Sequence, residues 1–265
     1  MGVARIEERF RTSGKKSVLV VYLTVGDPSV DDTLACALAA LEAGADVLEL
    51  GVPFSDPTAD GPVIAAASYR AIHRGGSLRA ALGIAEQIRK TRSEPLILFT
   101  YYNPIVAFGE AKVVDAADRA GVDGFLVVDL PPEEGALLRS AAAEKKLAMI
   151  PLIAPTTGRE REPRVLSGAS GFAYYVSVTG VTGAKAPLAQ AARDAAGLRE
   201  RAGLPVVVGF GIRTPEDART VTQAGVDGVV VGTAVVRAMA DATTPDARRA
   251  AVASLVGRLR AGLDA

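Results

Sequence analysis

Three carboxylates, Glu49, Asp56 and Asp60, fall in one short stretch, Leu48-Glu49-Leu50-Gly51-Val52-Pro53-Phe54-Ser55-Asp56-Pro57-Thr58-Ala59-Asp60-Gly61-Pro62. Glu49 sits inside an apolar run, Val47 to Gly51, with the residue types of a β-strand. Strand side chains alternate, so Val47, Glu49 and Gly51 share one face and Leu48 and Leu50 the other. An ionised carboxylate buried without a partner is costly enough that the group tends to keep its proton. Asp56 and Asp60 follow in a proline-rich loop, and Gly61-Pro62 can open a helix. A strand carboxylate beside a loop carboxylate is the residue set of an acid/base pair. Two plainer readings stand next to it: a Glu49 held in a buried ion pair, and an Asp60 that only caps the following helix.

A second group of residues suits an anion. Gly209-Phe210-Gly211 leads into Thr214-Pro215-Glu216-Asp217, where Thr214 can cap a helix, Pro215 fits its first turn and Asp217 can complete a capping box. Further on, Gly232-Thr233-Ala234 precedes a short helical piece, Val235 to Ala240. Backbone amides and a helix dipole bind phosphate without any basic side chain. Thr179-Gly180-Val181-Thr182-Gly183-Ala184 is a third contributor of the same kind. Each glycine taken singly is equally compatible with an ordinary turn.

Other chemistries lack their residues. The single histidine, His73, and the single cysteine, Cys36, are far apart in sequence, so no His/Cys zinc site is expected. Cys36 lies among apolar helix residues and reads as a small buried hydrophobe. All seven lysines fall on predicted helices or loops, which leaves a Schiff-base mechanism without a nucleophile in a barrel strand. Nucleophile elbow, P-loop and dinucleotide fingerprints do not occur. What remains is a phosphorylated substrate handled by carboxylates and tyrosines, with no metal and no cofactor.

These residues need a frame. Short β-branched runs alternate with helical patterns, predicting strands at Val18–Thr24, Val47–Gly51, Leu96–Tyr101, Gly124–Asp129, Ala148–Leu152, Gly171–Ser177, Val206–Gly209 and Gly228–Val231. Several strands are almost wholly apolar, as in parallel sheets covered on both faces. The last helix carries a stripe of Val252, Leu255, Val256, Leu259 and Leu263. Ala43-Gly44-Ala45-Asp46, Ala120-Gly121-Val122-Asp123 and Ala224-Gly225-Val226-Asp227 recur just before strands. Eight βα units in 265 residues, with no linker, predict one (β/α)8 TIM barrel over residues 1–265, with an extra N-terminal helix and a short helix after the eighth strand. In such a barrel the loops after the strands carry the chemistry, and the loops after strands seven and eight commonly hold phosphate. Thirty basic and thirty acidic residues balance, so no nucleic-acid or membrane-surface partner is expected. No apolar run reaches the roughly 20 residues of a transmembrane helix, and Met1–Lys16 lacks a signal-peptide core. A reduced, cytoplasmic protein is the expectation.

The run LELGVPFSDPTADGP resembles the diagnostic segment of the tryptophan synthase α-chain family. The resemblance extends from Thr24-Val25-Gly26-Asp27-Pro28 through Tyr101-Tyr102-Asn103-Pro104, Asp129-Leu130-Pro131-Pro132-Glu133-Glu134, Gly180-Val181-Thr182-Gly183 and Gly209-Phe210-Gly211 to Gly232-Thr233-Ala234. It implies a barrel that cleaves indole-3-glycerol phosphate to indole and glyceraldehyde 3-phosphate. The indole would pass to a pyridoxal-phosphate (PLP) β chain in an αββα assembly. Glu49 matches the family's general acid/base, Asp60 the carboxylate that accepts the indole N–H, and Tyr174 its active-site tyrosine, with Tyr175 pointing away. Gly183, Gly211, Gly232 and Thr233 match phosphate-binding positions. Phe210, Tyr22 and either Leu98 or Thr100 would line the indole pocket, and Asp56 and Pro57 would touch the β chain. The loops 53–60 and 179–187 would close over the substrate. Thr233 stands where many relatives have Ser, Val21 where Pro is frequent, and Lys185 where Arg is often seen; Lys185 could weaken a loop-closing salt bridge. A free-standing lyase that releases indole, or a chiefly regulatory α chain, would keep much of the same residue set.

Overall fold

The computed structural model describes residues 2–12, 17–176, 188–209 and 211–265. Among the described residues nine strands form one sheet: β1 (Val18–Thr24), β2 (Val47–Gly51), β3 (Leu96–Thr100), β4 (Gly124–Val127), β5 (Ala148–Met149), β6 (Leu152–Ile153), β7 (Ala173–Tyr175), β8 (Val206–Val208) and β9 (Gly228–Val231). Every ladder is parallel, in the order β5-β4-β3-β2-β1-β9-β8-β7-β6.

The two terminal strands of that order are separated by only Ile150 and Pro151, so the wall closes through the chain itself. On one side Ile150 N–H donates to Phe125 C=O (2.9 Å); on the other Tyr174 N–H donates to Pro151 C=O (2.9 Å). The sequence predicts one strand here, Ala148–Leu152. Proline has no N–H to give toward β7, so the ladder breaks at Pro151 and the strand divides into β5 and β6. The sixth, seventh and eighth predicted strands are therefore β7, β8 and β9.

Alternation sorts the strand residues into two layers. Leu19, Val21, Leu23, Leu48, Leu50, Leu98, Phe125, Tyr175 and Val208 face the surrounding helices. Val18, Val20, Val47, Ile97, Leu126, Ala148, Ile150, Phe172, Tyr174, Val207 and Val230 fill the lumen. The helix Gly2–Thr12 plugs the N-terminal end, with Ile6 fully buried among these residues and Phe10 against Phe172 at 5.6 Å between ring centres. The helix Pro245–Asp264 buries Val252, Leu255, Val256 and Leu259, the expected stripe.

The recurring Asp-terminated phrases hold this end of the barrel together. Asp46, Asp123 and Asp227 each accept the first free N–H of a neighbouring strand: Leu19 (2.8 Å), Leu96 (2.9 Å) and Val206 (2.8 Å). Each is also paired with arginine: Asp46 with Arg9 and Arg260, Asp123 with Arg5 and Arg89, Asp227 with Arg199. The lower rim is thus pinned by charge-assisted bonds, and the loops at the opposite rim are left for chemistry.

Candidate active site

At the C-terminal end of the lumen, above the apolar layers, four side chains converge: Tyr22 of β1, Glu49 of β2, Phe99 of β3 and Tyr174 of β7. Tyr22 lies directly across the ladder from Glu49. Phe99 packs edge-on against Tyr22 (5.2 Å between ring centres) and faces Tyr174 (6.4 Å). Two glycines make this possible. A Cβ on Gly51 would lie 2.2 Å from the Tyr22 hydroxyl, and one on Gly209 would lie 2.1 Å from the Tyr174 hydroxyl. Gly209→Ala is expected to push Tyr174 out of place and lower kcat/KM about 10²-fold with little loss of fold. Steady-state kinetics beside a circular-dichroism melt check this.

Glu49 is fully buried, and neither carboxylate oxygen has a hydrogen-bond partner among the described residues. Burial alone pushes its carboxyl up to about 8, so the resting site holds it protonated at neutral pH. No arginine or lysine pairs with it among the described residues, and the ion-pair reading is set aside. Tyr174 and Tyr22, also buried, are held protonated by burial first and then by the nearby carboxylates Glu49 and Asp60.

Asp60 comes from the loop after β2. It does not cap the next helix: Gly61 is the N-cap of Pro62–Ile72, with no side-chain capping bond. Its Oδ2 instead accepts the Tyr101 hydroxyl (3.1 Å), and that hydroxyl accepts the Ala59 N–H (3.0 Å). Burial raises the Asp60 carboxyl to about 6, against the opposing pull of the Tyr101 hydrogen bond. The Phe54 ring packs on Tyr101 at 5.0 Å. Asp56 on the same loop is exposed and bonded to Ser55, beside the half-buried Pro57.

The expected anion corner has its framework. Thr214 and Asp217 form a full capping box for Pro215–Thr222, and Gly211 takes φ +66°, a left-handed backbone that glycine adopts without strain. Gly232 is the N-cap of Thr233–Asp241, with no side-chain cap, and Val236 N–H closes the first turn onto Gly232 C=O (3.0 Å). The first amides of that helix are left for an incoming acceptor. Gly183 and Phe210, together with Lys185 and the loop 179–187, lie outside the described residues. No group of three or more metal-ligating side chains occurs among the described residues.

A family model for the tryptophan synthase alpha chain matches residues 10–262. The tryptophan synthase alpha chain of Geotalea daltonii is 43% identical over 266 residues, covering 99% of this chain and 100% of its own. The chain belongs to the tryptophan synthase alpha chain family. The crystal structure of the alpha subunit from Legionella pneumophila superposes with a TM-score of 0.91 at 36% identity, over 98% of both chains. Tryptophan synthase from M. tuberculosis gives a TM-score of 0.88 at 31% identity, over 98% of this chain and 99% of that one. As a tryptophan synthase alpha chain the protein is a carbon–carbon lyase, the indole-3-glycerol-phosphate lyase component that works with a β chain. PLP belongs to the β chain, and the α chain carries no cofactor.

Alternation along β7 places Tyr174 inward and Tyr175 outward, as the sequence register predicts. On β3 the residue that the resemblance implies is corrected. Leu98 faces the helices, and Thr100, of the same parity, turns its hydroxyl to the Tyr101 carbonyl (3.0 Å). Phe99 is the residue that lines the lumen next to Tyr22 and Tyr174. Its signal was available, since Ile97, Phe99 and Tyr101 share one parity.

Proposed function

We propose that the cleavage of indole-3-glycerol phosphate runs on Glu49, Asp60 and Tyr174, with the amides around Gly183, Gly211, Gly232 and Thr233 holding the phosphate. The observation that carries this reading is Glu49, a fully buried acid with both oxygens unpartnered among the described residues, in the lumen beside two tyrosines. Protonated Glu49 delivers its proton to indole C3, and the positive charge that develops spreads to the ring nitrogen. Asp60, ionised, accepts the indole N–H and stabilises that charge. The Glu49 carboxylate then takes the proton from the hydroxyl on the carbon attached to C3. That oxygen becomes the aldehyde of glyceraldehyde 3-phosphate, the C–C bond breaks, and its electrons return to the ring as indole leaves. Glu49 ends with the proton it began with, so no cofactor is consumed.

Tyr174 stays a neutral phenol and fixes the pose of the substrate against Glu49. Tyr22, Phe99 and Phe210 supply the flat apolar walls that an indole needs. Asp56 and Pro57 present the exposed turn of the Asp60 loop to the β chain, and β-chain binding orders this loop and so raises turnover. Comparable turnover of the isolated chain and the complex would refute that coupling. The whole chain, 1–265, works as one barrel domain in the cytoplasm.

The pH dependence of kcat/KM tests the assignment. Asp60 must be ionised and Glu49 must begin protonated, so a bell is expected, rising near pH 6 and falling near pH 8. An activity that instead climbs steadily through pH 9 would remove Glu49 as the acid.

A further inference from the structure

We propose that Tyr101 is a positioning residue for this reaction: its hydroxyl clamps the Asp60 loop so that the Asp60 carboxylate waits in the site, aimed and ionised, before substrate arrives. The inference rests on the reading of Asp60 given above and adds a residue which that reading does not use.

The geometry is a two-point anchor. Tyr101 follows directly on β3, is almost fully buried, and is the N-cap of the helix Tyr102–Phe108. Its backbone is therefore fixed by a strand on one side and a helix on the other. From this base its hydroxyl reaches a loop 41 residues away, donating to Asp60 Oδ2 and accepting from Ala59 N–H. A hydroxyl that accepts from an amide becomes a better donor, so the two bonds reinforce each other. The ring is braced by Phe54, from the start of the same loop.

The anchor also decides between two uses of Asp60. An Asp just ahead of Gly61-Pro62 is well placed to fold back onto the first amides of the helix Pro62–Ile72. The Tyr101 bond draws the carboxylate the other way, toward the barrel mouth, and the helix start goes without a side-chain cap.

The same bond favours the charged form that Asp60 needs. Burial opposes ionisation and Tyr101 counteracts it. The other titratable groups near Asp60 are Tyr22 on β1, Glu49 on β2, Tyr174 on β7 and, behind Tyr101, Asp129 after β4. Asp56 lies on the loop itself. The three tyrosines stay neutral across the working range, and no lysine or arginine stands against Asp60 in the described structure to take over the role of Tyr101. Arg70, on the helix that follows, is occupied by a two-pronged bond to Asp27 (2.9 and 2.7 Å).

The test is Tyr101→Phe, which keeps the ring and its contact with Phe54 and removes only the hydroxyl. Indole release from indole-3-glycerol phosphate is followed from pH 5 to 9 in the complex with the β chain, beside wild type and Asp60→Asn. The expected result is about a tenfold lower kcat/KM below pH 7, an acidic limb moved to higher pH and an alkaline limb left in place. A wild-type profile for Tyr101→Phe with an inactive Asp60→Asn would overturn the role of Tyr101 and leave that of Asp60 standing. A uniform loss at every pH, with both limbs unmoved, would reduce Tyr101 to a packing role and overturn the proposal too. An Asp60→Asn variant as active as wild type would instead overturn the underlying reading of Asp60.

Discussion

Glu49→Gln is expected to lower indole release by about 10³-fold or more while making the protein more stable. The loss follows from the two proton transfers assigned to one carboxyl group: glutamine matches its shape and can neither give nor take the proton. The gain follows from burial. Glu49 has a folded-state value near 8 against an ordinary 4.5. Between these values the native chain holds a proton that the unfolded chain releases, so stability falls as pH rises through the window. Below about pH 4.5 the acid is protonated in both states and the effect vanishes. A neutral glutamine removes the penalty, and the gain should grow from pH 5 to pH 8, reaching on the order of a few kcal/mol. Urea melts of both proteins at several pH values measure it. A variant that is inactive but less stable at pH 8 would mean that Glu49 is an ionised, paired structural residue.

The second large effect is expected far from the substrate. Asp123 is fully buried at the lower rim, where it accepts the Leu96 N–H and binds Arg5 and Arg89. Asp123→Ala strands a strand amide, takes the carboxylate from Arg5, and leaves the mostly buried Arg89 guanidinium with only the carbonyls of Gly121, Arg92 and Glu94. Removing one partner from such a set costs about 3–5 kcal/mol, far more than an exposed ion pair contributes. Denaturant unfolding should show this loss while kcat/KM of the remaining folded protein stays near wild type, because Asp123 lies at the rim opposite the site. A loss below about 1 kcal/mol would show that the clamp is redundant with Asp46 and Asp227.

The difference between these two residues explains what the sequence made legible. Glu49 announces itself because a carboxylate in an apolar strand breaks the local pattern. Asp123 sits in a phrase that recurs three times, yet reads only as the end of a turn. Its partners, Arg5, Arg89 and Leu96, are brought to it by closure of the barrel, which no local pattern encodes. The strands themselves were plain, because a parallel wall covered on both faces leaves continuous runs such as Val18–Thr24. The break at Pro151 was readable in principle, since a proline inside a central strand cannot complete its ladder. Leu98 or Thr100 is what the family resemblance implies for the pocket wall, whereas the strand's alternation gives that place to Phe99. On β7 the register that the resemblance implies, Tyr174 inward and Tyr175 outward, is the one the strand adopts. Tyr101 belongs to the Tyr101-Tyr102-Asn103-Pro104 run, but its contact with Asp60 spans the gap between two βα loops and exists only once the barrel has formed.

The most direct test of the account is indole release from indole-3-glycerol phosphate by the purified chain together with a tryptophan synthase β chain. Wild type, Glu49→Gln and Asp60→Asn should be compared at pH 7, with a chelator present and no cofactor beyond that carried by the β chain. Rapid release by the wild type and almost none by either variant, with both variants still binding the β chain, is the predicted result. Near-wild-type release by Glu49→Gln would contradict it, and would mean that the buried acid of β2 is not the group that moves the proton.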